Sequence, residues 1–105
     1  MQNKYGIAEN SYNYLLETLI KYNTVFEAKI FGSRAMGNFK KGSDIDLAIS
    51  GDNIQYDTLL KISSTLNEEL PIPYYVDVIH FESITNSNLK KHIEIYGKTI
   101  YKKED

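Results

Sequence analysis

Apolar residues recur at helical spacing near the start of the chain. Tyr12, Leu15, Leu16, Leu19 and Ile20 share one face of a 3.6-residue period, so residues 9 to 22 predict an amphipathic helix capped by Asn10 or Ser11 and stopped by Asn23. Val25 to Phe31 (VFEAKIF) is apolar at both ends and halts at Gly32, the pattern of a short strand entering a tight turn. Asp44 to Ile49 alternates, with Ile45, Leu47 and Ile49 on one side and Asp44, Asp46 and Ala48 on the other, which predicts a second strand. The helical period returns from Asn53 to Leu70 through Tyr56, Leu59, Leu60, Ser63, Leu66 and Leu70, and Pro71 with Pro73 ends it. Tyr74 to Phe81 (YYVDVIHF) is a β-rich strand with one charge, Asp77, in its middle. Leu89, His92, Ile93 and Tyr96 form a last helical stripe closed by Gly97, and Thr99 to Tyr101 predicts a short final strand.

The order is helix, strand, strand, helix, strand, helix, strand, without repeats or low-complexity linkers. With 105 residues, 42% of them hydrophobic, the chain suffices for one domain spanning 1 to 105 and is too short for two. The net charge is -2 and the charges are interspersed, so no basic stripe exists and direct nucleic-acid binding is disfavoured. There are no cysteines, which excludes a disulfide framework and thiol chemistry. The polar start MQNKYGIAEN lacks the apolar run of a signal peptide, and no segment approaches the roughly 20 apolar residues of a membrane span, so the expectation is a cytoplasmic domain that does not engage a membrane. Nine tyrosines without a tryptophan serve either core packing or a protein interface.

The chemistry concentrates in FGSRAMGNFKKGSDIDLAIS, Phe31 to Ser50. Strand alternation projects Asp44 and Asp46 from one face about 6 to 7 Å apart, where they repel unless a cation lies between them. Such a pair suits two divalent ions about 3.5 to 4 Å apart. Asp77, between Val76 and Val78, is costly to bury unless paired or coordinated, and it joins the other two if its strand lies beside theirs. Oxygen ligands favour Mg²⁺ or Mn²⁺ over zinc.

Gly32 lets the backbone approach a ligand closely, and Ser33-Arg34-Ala35-Met36 starts a short helix whose free N–H groups suit phosphate oxygens, with the Ser33 hydroxyl and Arg34 guanidinium nearby. Arg34 has an equal alternative, bracing the loop through a carboxylate. A phosphate site beside a carboxylate-bound metal pair is a nucleoside triphosphate site fitted to nucleotidyl transfer, with Asp77 as the candidate base. Taken alone, Asp44 and Asp46 also fit a solvated strand face, and Asp77 a structural ion pair with a lysine. His80 and His92 read as structural or surface residues rather than ligands.

Gly32-Ser33, ten residues, then Asp44-Ile45-Asp46 resembles the G-S-x10-D-x-D signature of the DNA polymerase beta-like nucleotidyltransferase superfamily. Within it the chain is similar, from about Val25 to Tyr101, to the minimal nucleotidyltransferases, the MNT antitoxins found beside HEPN-domain toxins. The resemblance implies an α/β (α+β) fold, one mixed sheet flanked by helices. It also implies Mg²⁺ as cofactor, ATP as donor, and transfer of AMP to a tyrosine hydroxyl of the partner toxin. On this pattern Gly32 and Ser33 hold the triphosphate, Asp44 and Asp46 bind both metals, and Asp77 completes the catalytic metal site and helps activate the acceptor. Met36 stands where family members often carry a second arginine, and Lys40 or Lys41 is the substitute cation in the same loop. After Asp77 too little chain remains for a helical substrate domain, so the expectation is an acceptor that is recognised by a partner or is the partner. Two other classes fit the same residues: an antitoxin acting by occlusion alone, and a small-molecule nucleotidyltransferase working with a separate helical subunit.

Overall fold

The computed structural model describes residues 2 to 104. Its elements in chain order are α1 (Glu9–Ile20), β1 (Val25–Phe31), α2 (Ser33–Met36), β2 (Ile45–Gly51), α3 (Tyr56–Ser64), β3 (Val76–His80), α4 (Ser87–Tyr96) and β4 (Lys98–Lys102). The strands form one mixed sheet in the order β3-β2-β1-β4. β1 runs antiparallel to β2 and β4, while β2 and β3 are parallel because α3 carries the chain back across the sheet.

One face of the sheet carries the larger core. Ile30, Ile45, Leu47, Ile49 and Val76 pack there against Leu15 and Leu19 of α1 and against Ile62 and Leu66. All nine are fully buried, and truncating one to alanine is expected to cost about 2–5 kcal/mol. The opposite face is thinner. Phe31, Ala48 and Ile79 meet Ile93 and Leu89 of α4, with Phe81 and Ile84 closing the cluster. The odd positions of β2 therefore build the main core and the even ones the α4 side, the face that also carries Asp46.

Element limits differ from the periodicity in instructive ways. Helix α1 starts after Ala8, without a side-chain cap, and ends at Ile20. Asn10 turns its carboxamide onto the Ser11 N–H, and Ser11 is buried, so neither serves as the cap. Asp44 immediately precedes β2 rather than lying within it. Asn53 adopts a left-handed turn with φ 59°, which delays α3 to Tyr56. The helical path continues past Ser64 as a wider turn, Thr65–Glu69, with the Leu70 N–H donating to the Thr65 carbonyl at 3.1 Å. Asn67 in that turn bonds both polar groups of Val76, at 2.8 and 2.9 Å, and so anchors the start of β3. Gly97 ends α4 in extended conformation (φ -62°, ψ 143°), not left-handed, and it is needed because a Cβ there would strike the Ile93 carbonyl.

Candidate active site

The carboxylates lie at the sheet edge where β1 ends and β2 and β3 begin. Phe31 is the register partner of Asp46, and Asp46 is the partner of Asp77. Neighbouring strands stand about 4.8 Å apart, so Asp46 and Asp77 leave the same face side by side. Asp44, two residues upstream of Asp46, enters from the loop and is exposed.

The electrostatics centre on Asp46. Its carboxyl is pushed above the usual carboxylate range, first by burial, then by the negative charges of Asp77 and Asp44, while His92 works in the opposite direction. Asp77 departs from expectation: it is exposed rather than buried, while its neighbours Val76 and Val78 on the opposite face pack on the core. No lysine or arginine pairs with Asp44, Asp46 or Asp77 among the described residues, which removes the structural ion-pair reading of Asp77. Nor do three acidic or imidazole groups among the described residues close into a ready-made metal cage. The donor set nevertheless fits a hard divalent cation, because three unpaired carboxylates at one edge supply oxygen ligands whose repulsion such an ion relieves.

Gly32 makes the turn that brings the start of α2 to this edge. Its backbone takes φ 73° and ψ -151°, a conformation left almost entirely to glycine. A Cβ there would run into the Asp46 carboxylate, so the absent side chain is the space that Asp46 occupies. The Met36 and Gly37 N–H groups donate to the Gly32 and Ser33 carbonyls at 3.1 and 2.9 Å. The N–H groups of Ser33, Arg34 and Ala35 have no backbone acceptor among the described residues.

Arg34 is turned into the protein, onto backbone carbonyls. Arg34 is 1% exposed, and its guanidinium donates to the Tyr5 and Gly6 carbonyls at 2.9 and 3.1 Å and twice to the Ser43 carbonyl, at 3.1 and 2.7 Å. It also lies 4.6 Å from the Tyr74 ring centre and 5.1 Å from that of Phe39. This corrects its placement with the nucleotide: Arg34 braces the loop, through carbonyls rather than the carboxylate considered from the sequence. Met36, Lys40 and Lys41 are exposed in the same loop.

His92, structural or surface on the sequence pattern alone, meets the Gly32 turn. From α4 its Nε2 accepts the Gly32 N–H at 3.2 Å, and its ring lies against Phe31 and Tyr96. Its only sequence signal was its place on the apolar stripe of α4. His80 instead pairs with Ser83 and Glu82, away from the carboxylates. Two clefts lie elsewhere: one of about 560 Å³ between Tyr56, His80 and Asn86, another of about 570 Å³ beside Tyr5 and Tyr12. Neither is lined by Asp44, Asp46 or Asp77.

Among solved structures, the chain resembles a toxin–antitoxin complex with AMP-PNP (TM-score 0.72, 21% identity, covering 89% of this chain and 74% of that one). A mutant MntA–HpeT toxin–antitoxin pair gives TM-score 0.69 at 18% identity over 89% and 74%. The tri-AMPylated HEPN toxin of Shewanella oneidensis in complex with its MNT antitoxin gives 0.68 at 18% over 90% and 72%. These likenesses establish the fold. No curated protein matches the chain. No helix among the described residues is long and apolar enough to cross a membrane. The family model for polymerase beta nucleotidyltransferases matches residues 13–105, and the chain belongs to that family.

Proposed function

We propose that the protein is a Mg²⁺-dependent nucleotidyltransferase that transfers AMP from ATP to a tyrosine hydroxyl of a cognate HEPN-type toxin and so neutralises it. The observation that carries this reading is the meeting of the Gly32 turn with the Asp46–Asp77 pair at one sheet edge. The AMP-PNP bound in one related complex and the AMPylated toxin in another support the donor and the acceptor class.

Each group has a role that its position allows. The turn at Gly32 and Ser33 presents the Ser33, Arg34 and Ala35 N–H groups to the triphosphate. Asp44, Asp46 and Asp77 would hold the metal, which when bound neutralises phosphate charge and orients the reacting oxygens. The acceptor oxygen bonds to the α-phosphorus as the bond to pyrophosphate breaks. Asp77, exposed and opposite Asp46, takes the hydroxyl proton. Asp44 and Asp77 are exposed, within reach of an acceptor side chain carried on another fold.

Co-expression of the toxin with wild type or with Asp44→Asn/Asp46→Asn tests this. Rescue of growth by wild type alone, with toxin mass increased by whole AMP units, is the expected result. Equal rescue by the double variant at equal dose would assign neutralisation to occlusion.

A further inference from the structure

His92 lies sixty residues from Gly32 in sequence, yet it is the acceptor for that residue's N–H, at 3.2 Å. We infer that His92 is a positioning residue whose Nε2 lone pair holds the Gly32 peptide in the conformation on which the site depends.

The need arises where β1 ends. The ladder with β2 stops at the Phe31–Asp46 pair and the ladder with β4 at Ile30–Lys98, so neither strand supplies an acceptor for the next N–H. Gly32 then turns to φ 73° and ψ -151°, and its N–H points at α4. Without an acceptor a partly buried N–H is left unsatisfied, at a cost comparable to a lost hydrogen bond. The imidazole supplies it. Its ring is set by edge contact with Phe31 (6.2 Å between centres) and by Tyr96 one turn further along α4 (5.3 Å).

Two consequences follow from the donor and acceptor roles. Because Nε2 accepts, the neutral ring carries its proton on Nδ1, the less common tautomer of free histidine. And because Gly32 abuts the Asp46 carboxylate on its other side, slack in this peptide moves both the start of α2 and the space Asp46 fills. His92 thus acts on the site through Gly32.

The consequence for nucleotide rests on the proposed function, whereas the consequence for Gly32 does not. The test uses His92→Phe, which keeps an aromatic ring but has no lone pair, and His92→Gln, whose carbonyl can accept. In ¹⁵N-labelled protein the expected wild-type signature is an unprotonated Nε2 and a protonated Nδ1. His92→Phe should shift the Gly32 amide resonance and raise KM for ATP about tenfold, with kcat changed much less. His92→Gln should keep the Gly32 resonance near its wild-type position and recover most of the affinity. A protonated Nε2 in wild type, or an unmoved Gly32 resonance in His92→Phe, would overturn the inference, and so would an unchanged KM in that variant. Should His92→Phe not fold, the wild-type tautomer and His92→Gln still decide. If wild type transferred no nucleotide, the proposed function would fail, and the Gly32 resonance would still decide the role of His92.

Discussion

Asp46 on β2 and Asp77 on β3 are direct partners in a parallel ladder, so two carboxylates share one face of the sheet at neighbouring positions. Like charges at that spacing raise the cost of ionising both. A structural design would place a cation between them from the protein itself. None of the described lysines or arginines does so, and the repulsion falls on Asp46, the more buried of the two. Sites that conflict with stability in this way are where function concentrates.

Removing that conflict should not cost stability. In the absence of divalent cations Asp46→Asn is expected to melt at or above the wild-type temperature. Adding Mg²⁺ should stabilise wild type, by about 2.7 kcal/mol at 100 times Kd, and leave Asp44→Asn/Asp46→Asn where it was. Thermal denaturation with EDTA or Mg²⁺ measures both, independently of any transfer activity.

The pH dependence has a definite sign. Because the Asp46 carboxyl is raised in the folded state, the folded protein binds this proton more tightly than the unfolded chain does. The resulting stabilisation is fully present below the ordinary carboxylate range and is lost as pH rises through the higher folded value. Wild type without metal should therefore gain stability relative to Asp46→Asn as pH falls from neutrality into that range. A difference curve that is flat, or that slopes the other way, would show that Asp46 is not held above its usual range.

What could be read in the sequence was what is local in the sequence. Asp44, Asp46 and the Gly32-Ser33 turn are linked by fixed short spacing and by the two-residue period of a strand, so their convergence was legible. Asp77 was legible as a strand residue, but its supposed burial was not, because edge position and the face covered by each helix depend on strand order. Arg34 and His92 could not be placed. The Arg34 carbonyls at Tyr5 and Gly6 lie 29 and 28 residues away and the His92 contact lies 60 away, and periodicity carries no information about either. The same holds for Gly97, whose role is close approach to a carbonyl rather than a left-handed turn.

Gly32→Ala introduces a Cβ at φ 73° and aims it at the Asp46 carboxylate. The backbone strain is expected to cost roughly 1–3 kcal/mol. Nucleotide affinity should fall further than that stability loss explains, since the new methyl displaces the Asp46 carboxylate from the proposed metal site. Urea denaturation and AMP-PNP titration of the same variant separate the two effects.

Arg34→Ala leaves the buried Tyr5 and Gly6 carbonyls and the part-buried Ser43 carbonyl without this donor and is expected to destabilise the fold by about 1–3 kcal/mol per stranded buried group. Arg34→Lys should recover little, because one ammonium cannot serve carbonyls on two sides while stacking between the Phe39 and Tyr74 rings. A lysine variant of wild-type stability but weakened nucleotide affinity would return Arg34 to the anion site. Chemical denaturation paired with nucleotide titration reads both.

The most direct measurement is transfer of label from α-phosphate-labelled ATP, with Mg²⁺, to the purified cognate toxin. Wild type should label the toxin at tyrosine, and Asp44→Asn/Asp46→Asn should reduce the rate by at least about 10²-fold. Absence of label from the toxin with wild type and any of the four nucleotides, while the two proteins still form a complex, would contradict the account and leave a binding antitoxin on a nucleotidyltransferase fold.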